Sequence, residues 1–506
     1  MPVPASILAA MLDHAAADPQ RPCLIWAGET ISYGRLAAAA AAWSRRYAEL
    51  GVIRGDRVGL YLGNTPTFLA AYLGAHMAGA AAVLINTQYR QVELQHILSD
   101  SAPRVVVADA ESAPHIEHTD LGLQLIIADS ESFPPHPTFT IHHSPFTIQP
   151  PQATELAILA YTSGTTGRSK GAMLTHSNIA SNSAAVAGAW RWTAADRLLL
   201  TLPLFHIHGL GVGVHGTLLT GASLDLRPRF DPDEVLDALV SGTVSMFFGV
   251  PTIYGRLLQA ARGEKVEVLP PAMRLFVSGS AALPPQVFHD FRQIFGHAIL
   301  ERYGMTETVM NLTNPYAGER RPGTVGAPFP GQEARIVDVR SRQPLPDGQV
   351  GEIQVRGPHV CAGYWRNPAA TAEVFGADGW FSTGDLGERS ADGYFTITGR
   401  AKELVISGGY NIYPREVEER LLEHPAVAEC AVRGLPDTDL GEQVAAWVVP
   451  QPAARPTTPG ADAELAAELI AFCRAGLAAY KRPRSIVFVA SLPRNAMGKV
   501  QKHLLT

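Results

Sequence analysis

Along the first third of the chain, apolar positions switch between two spacings. Tyr33 to Leu50 is alanine-rich and amphipathic, DRVGLYL (56–62) is a short apolar run, and PTFLAAYLGAHMAG (66–79) returns to helical spacing. AAVLIN (81–86) and RVVVAD (104–109) are again apolar runs of strand length. Strands separated by helical stretches predict βαβ units, and their near-continuous apolar character predicts mostly parallel, buried sheets. The stretch Pro134 to Gln152, rich in Pro, His and Thr, reads as a surface connection.

The α/β alternation continues to about residue 330, where the pattern changes. EARIVDV (333–339), GEIQVRG (351–357) and GYFTITGR (393–400) are short β-like runs bounded by the turns PDG (346–348) and ADG (391–393), which predicts a small antiparallel sub-barrel. The remaining stretch from residue 400 to 506 is long enough to be a domain. In it, YPREVEERLLEHPAV (413–427) reads as a helix with Pro near its start, and VAECAVRG and EQVAAWVVP read as strands. The expected fold class is therefore α/β. A large N-terminal domain (1–399) carries mostly parallel sheets with flanking helices and the sub-barrel at about 330–399, and a small α+β domain (400–506) follows.

Composition narrows the function. The 506 residues hold 41 Lys+Arg against 47 Asp+Glu, a net charge of −6, and 46% are hydrophobic. Such a chain can fill sizeable cores, and its net charge gives no general attraction to nucleic acid or anionic lipid, so neither is expected as a partner. Leu198 to Leu224 contains no Asp, Glu, Lys or Arg, but Pro203, His206, His208, His215 and several glycines interrupt it, so it reads as a buried strand and helix of a soluble core. Cys23, Cys361, Cys430 and Cys473 are far apart with no CxxC pair, which argues against a disulfide framework or thiolate metal site and suits a reduced cytoplasm. The N-terminus lacks the basic region and long apolar core of a secretory signal.

The strongest chemical signal is ILAYTSGTTGRSKGAMLTH (158–176), where nine consecutive residues, Thr162 to Lys170, are Thr, Ser, Gly or basic between two apolar segments. Such a loop offers backbone N–H groups, hydroxyls and a cation, which a polyphosphate needs. It is not a Walker loop: counted from Gly164, the required second glycine is Ser169.

With this loop in place the chain resembles the acyl-CoA synthetase branch of the adenylate-forming enzymes. The resemblance rests on YTSGTTGRSKG and on LPLFHIHGL (202–210), VSGSAAL (277–283), ERYGMTET (301–308), GWFSTGDLG (379–387), TGRAKELVISGGYNIYP (398–414) and LPRNAMGKVQK (492–502), which span nearly the whole chain. It implies a mobile C-terminal domain and a two-step reaction in which a carboxylate attacks the α-phosphate of ATP and the thiol of CoA then displaces AMP. It also implies Mg²⁺. By position, the resemblance gives Thr162, Ser163, Gly164, Thr165, Thr166, Gly167 and Lys170 to the β- and γ-phosphates, Thr306 to phosphate, Glu307 to Mg²⁺ and Tyr303 to adenine. Asp385 and Arg400 would hold the ribose, Lys402 would be the hinge, Lys499 would act in adenylation, and Gly408 and Gly409 would line the pantetheine tunnel. His206 falls near the acyl and thiol entry. The HxH pair His206/His208 has no identifiable third ligand, so a metal is not expected there.

For the acid, the stretches 167–183, 248–259, 273–283 and 296–320 are most similar to malonyl-CoA synthetases. That implies a pocket for a second carboxylate, and Arg256 with Ser278 is the expected clamp. Alternatives are a ligase for methylmalonate or another short acid, and an adenylation enzyme that loads a separate carrier protein. Oligomeric state is not legible.

Overall fold

The computed structural model describes residues 3–117, 119, 121–128, 150–162, 169–263, 269–407, 410–454, 461–494 and 500–505. Two compact units emerge: Met1–Ala334 with Val355–Phe381, and Arg335–Gln354 with Ser382–Thr506.

The first unit is built on two sheets flanked by helices. Among the described residues, one has six strands, in the order Gln124–Ala128, Val105–Asp109, Arg57–Tyr61, Ala81–Leu84, Leu156–Thr162, Lys170–Thr175. Its pairings are parallel except the last, an antiparallel hairpin that pairs Thr162 with Lys170. The amphipathic segment near residue 33 forms the helix Tyr33–Glu49, which starts where the Ser32 side chain accepts from Arg35 N. The helix Pro66–Met77 has Thr65 as N-cap and Pro66 in its first turn, and all twelve of its residues are buried.

The other sheet has nine strands among the described residues, and its middle runs Leu300–Tyr303, Leu275–Ser278, Met246–Gly249, Arg197–Leu200, Ser223–Leu226, all parallel. Parallel strands covered on both faces place their carboxyl ends around a common crevice, where ligands bind in open α/β sheets. Gly249, Ser278 and Glu301 lie side by side there in register. The uncharged stretch 198–224 is a strand, a π-helical turn His208–Val214, a short helix His215–Thr220 and a second strand. No helix among the described residues is long and apolar enough to cross a membrane.

In the second unit, the β-like runs after residue 330 form a four-stranded sheet rather than a closed barrel, with strands Glu333–Val337, Gly351–Arg356, Phe381–Arg389 and Phe395–Arg400. The stretch 330–399, expected to belong wholly to the first domain, divides between the two units. Lys402 falls within the second unit, where Arg415 donates to the carbonyl of Ile397 and ties this sheet to the helix Pro414–Leu422. The two long strands Val427–Asp437 and Gly441–Pro450 pair antiparallel and cover a core of Val405, Ile412, Val417, Val432, Val444 and Leu469. Most of Pro134–Gln152 lies outside the described residues.

Candidate active site

The hairpin between Leu156–Thr162 and Lys170–Thr175 brings Thr162 and Lys170 face to face at the two ends of the Thr/Ser/Gly loop. Ser163, Gly164, Thr165, Thr166 and Gly167 lie outside the described residues. The Thr162 hydroxyl donates to Oε1 of Glu307 at 3.4 Å, so the structure joins two sites that lie far apart in sequence. Glu307 is buried in the turn after the strand Leu300–Tyr303. Its backbone carbonyl accepts from Cys361 N at 2.8 Å, and the Tyr364 hydroxyl donates to Oε1 at 3.0 Å. Tyr364 is bridged to Ala172 on the hairpin, and Lys170 Nζ stands 5.2 Å from the centre of its ring. Burial first, and then the Glu307 carboxylate, push the Tyr364 phenol well above its ordinary value, so it stays a protonated donor. Thr306 and Tyr303 are half-buried beside Glu307, Tyr303 at the strand's last position. One carboxylate among hydroxyls is an all-oxygen donor set, which suits a hard cation that also takes phosphate oxygens and water.

A second group gathers at the carboxyl end of the parallel strands. Ser278 is fully buried at the end of its strand, and its Oγ has no hydrogen-bond partner among the described residues. Arg302 is 3% exposed, and its Nε and Nη2 find no hydrogen-bond partner among the described residues. Its guanidinium lies so close to Gly279 that a Cβ there would stand 2.3 Å from Cζ, which explains the glycine. Burial pushes this guanidinium down from 12.5 to about 9, still a cation at neutral pH. His208 is buried, with Nδ1 3.2 Å from the Ser280 hydroxyl and Nε2 unpartnered. Burial, and then the charges of Arg302 and His206, push His208 well below the ordinary imidazole range, so it is neutral. A buried cation whose donors have no acceptor is costly, and it marks a place where an anion belongs.

The expected His206/His208 pair is not on a strand. It sits at the start of the π-helical turn, where His206 Nδ1 accepts from His208 N at 3.1 Å. Among the described residues no three His, Cys, Asp or Glu side chains form a group that could hold a metal. Arg256 is exposed on the helix Pro251–Gly263, whereas Ser278 is buried. The buried cation at the carboxyl end of the neighbouring strand is Arg302, over Gly279 and close to His208.

In the second unit, Asp385 lies on the strand Phe381–Arg389, not in a turn, and is paired in register with Arg400 at 3.1 Å. Lys402 is exposed in the short helix Ala401–Glu403. Gly408, Gly409 and Lys499 lie outside the described residues. Lys502 is ion-paired to both Glu403 and Glu418, which fastens the end of the chain to the segment around Lys402.

Tyr364 and Arg302 were not singled out from the sequence. Tyr364 lies in an unremarked GYW, but Arg302 carried a signal: a charged Glu-Arg pair inside a strand otherwise reading as buried.

The doubly wound parallel sheets, the hydroxyl-rich hairpin loop tied to a buried carboxylate, and the smaller α+β unit together define an adenylate-forming enzyme of the acyl-CoA synthetase type. The chain belongs to the AMP-binding enzyme family: residues 12–365 match the AMP-binding enzyme model and residues 416–499 the AMP-binding enzyme C-terminal domain. It is 39% identical to the sulfoacetate–CoA ligase of Cupriavidus necator over 98% of this chain and 96% of that protein. It is 34% identical to the malonate–CoA ligase of Arabidopsis thaliana, over 94% of this chain and 84% of that one. The crystal structure of ATP-bound MatB from Rhodopseudomonas palustris matches with a TM-score of 0.88 at 38% identity, covering 99% of this chain and 98% of that chain. The chain is an acid–CoA ligase.

Proposed function

We propose that the acid is malonate, converted with ATP and CoA to malonyl-CoA, AMP and pyrophosphate. The observation that carries this reading is Arg302: a buried guanidinium at the carboxyl end of the central strands, close to neutral His208, with two nitrogens that find no hydrogen-bond partner among the described residues. A monocarboxylate spends its one charge in the reaction with ATP and leaves Arg302 unpaired. Malonate brings a second carboxylate, which a planar guanidinium can meet with two parallel hydrogen bonds. In this reading Arg302, not the exposed Arg256, is the arm of the clamp. Two relatives are named for malonate and sulfoacetate, both of which carry a second anionic group one carbon from the reacting carboxylate.

The remaining roles are those that the family resemblance implies for these positions. Lys170 and the Thr/Ser/Gly loop take the β- and γ-phosphates, and Thr306 adds a hydroxyl. Glu307 holds Mg²⁺, which offsets charge on the triphosphate. Tyr303 flanks adenine, and Asp385 with Arg400 meets the ribose. Lys499 offsets negative charge as the carboxylate oxygen approaches the α-phosphate. A rotation about Lys402 then exchanges that lysine for the Gly408–Gly409 loop and admits CoA, with His206 near the thiol entry. The boundary near residue 400, a cytoplasmic setting, and action without nucleic acid or membrane belong to the same reading.

AMP release with CoA, measured over malonate, methylmalonate, sulfoacetate, acetate, octanoate and coumarate, tests the proposal. Malonate should show the highest kcat/KM. Preference for octanoate or coumarate would overturn it, and preference for sulfoacetate would keep the anion clamp and replace the substrate.

A further inference from the structure

We propose that Tyr364 is a positioning residue for the Mg²⁺·ATP half of the site, orienting the Glu307 carboxylate through its hydroxyl and the Lys170 ammonium through its ring. The inference rests on the reading of Glu307 as the cation's ligand. Three observations, all within the first unit, carry it. The Tyr364 hydroxyl donates to Glu307 Oε1 at 3.0 Å, and Thr162 donates to the same oxygen at 3.4 Å. Two hydroxyls on one oxygen fix the plane of the carboxylate and so the direction from which a cation can be met. Lys170 Nζ lies 5.2 Å from the centre of the Tyr364 ring, within the range of a cation–π contact.

The third observation is that Tyr364 is itself held. It is 8% exposed and packs with Ala172 and Ala370, its backbone is bridged to Ala172, and its N–H donates to the Thr371 hydroxyl at 2.9 Å. Thr371 in turn donates to the carbonyl of Asn367, within the turn that starts the helix Pro368–Val374. A side chain so fixed can impose direction on the two flexible charged groups that touch it. Its two halves have separable jobs. The hydroxyl serves the cation's ligand, and the ring serves the phosphate-binding lysine.

The test compares Tyr364→Phe, Tyr364→Leu and Glu307→Gln in the full chain, with two readouts apart from turnover. These are nucleotide binding by calorimetry as a function of Mg²⁺, and Mn²⁺ binding in the presence of ATP by electron paramagnetic resonance. Removing the outer partner of a metal ligand weakens metal binding about 10- to 100-fold. Tyr364→Phe should therefore raise the Mg²⁺ and Mn²⁺ concentrations for half-saturation at least about tenfold. Metal-free nucleotide binding and melting temperature should stay as in the wild type, because the ring that faces Lys170 is kept. Tyr364→Leu should show the same metal defect and also lose several-fold in metal-free nucleotide binding, because Lys170 loses the ring.

Unchanged metal titrations in Tyr364→Phe, with Glu307→Gln strongly shifted, would overturn the proposal alone. Unchanged titrations in Glu307→Gln would remove the Glu307 reading and this inference with it. Equal losses by Tyr364→Phe in metal-free binding and melting temperature would reduce Tyr364 to a packing residue and overturn the proposal.

Discussion

Replacing Arg302 with Met tests the substrate assignment through two opposite effects. The side chain keeps its length and apolar stem and loses its charge. The guanidinium is buried without acceptors for Nε and Nη2 among the described residues, and burial pushes it from 12.5 to about 9. At about 1.4 kcal/mol for each tenfold, that displacement corresponds to roughly 4–5 kcal/mol of unrecovered desolvation. The free variant should therefore be at least as stable as the wild type, and its melting temperature should rise. Malonate, by contrast, loses the counter-charge for its second carboxylate, a loss of about 2–5 kcal/mol, or roughly 30- to 5,000-fold in kcat/KM. Butyrate never used the charge and should be turned over as well or better. The ratio of kcat/KM for malonate over butyrate cancels any general damage to ATP or CoA binding. Arg256→Leu, on the exposed helix face, should leave that ratio within about threefold of wild type. An unchanged ratio in Arg302→Met would refute the clamp, and so would a lower melting temperature with equal losses for both acids.

Three further outcomes are expected. Lys170→Ala and Glu307→Gln should each lower pyrophosphate release about 30- to 1,000-fold, since each removes a charged partner of the triphosphate; near-wild-type release would remove the ATP assignment. Lys499→Ala should abolish acyl-adenylate formation yet spare thioester formation from preformed adenylate, while Lys402→Pro should do the reverse, and equal loss of both steps by both variants would count against rotation about residue 402. The buried histidines His76 and His215 contact Tyr72, and His176 meets His76 edge-on; burial pushes His76, His176 and His215 down to about 4, about 2 and about 3 from 6.5. As pH falls below 6.5 the unfolded chain takes protons that the folded one refuses, so stability present above 6.5 is lost on acidification. By pH 5.5 the loss reaches up to about 4 kcal/mol for the three together, and calorimetry showing equal stability at pH 7.5 and 5.5 would contradict it.

Much of this protein was legible in one dimension. The helix Pro66–Met77 and the strands Arg57–Tyr61, Ala81–Leu84 and Val105–Asp109 follow from apolar spacing and a Thr-Pro start, because parallel sheets buried on both faces demand long apolar runs. A polyphosphate site was legible too, since a phosphate loop is contiguous and its backbone groups need the small residues that stand between Thr162 and Lys170, and the resemblance of this and the other contiguous motifs to a family implied the reaction class. Neither the partner of Glu307 nor the buried cation Arg302 could be read that way. Tyr364 reaches Glu307 across 57 positions, and Arg302 becomes a buried, unpartnered charge only because its strand lies beside Leu275–Ser278 in the sheet. Resemblance, not spacing, made Arg256 the expected clamp, and the helix Pro251–Gly263 leaves it exposed. Local sequence determines which elements form and which backbone groups a loop can offer. Which side chains lose water, and whether their donors then find an acceptor, depends on what the rest of the chain packs against them, and only the tertiary structure decided that.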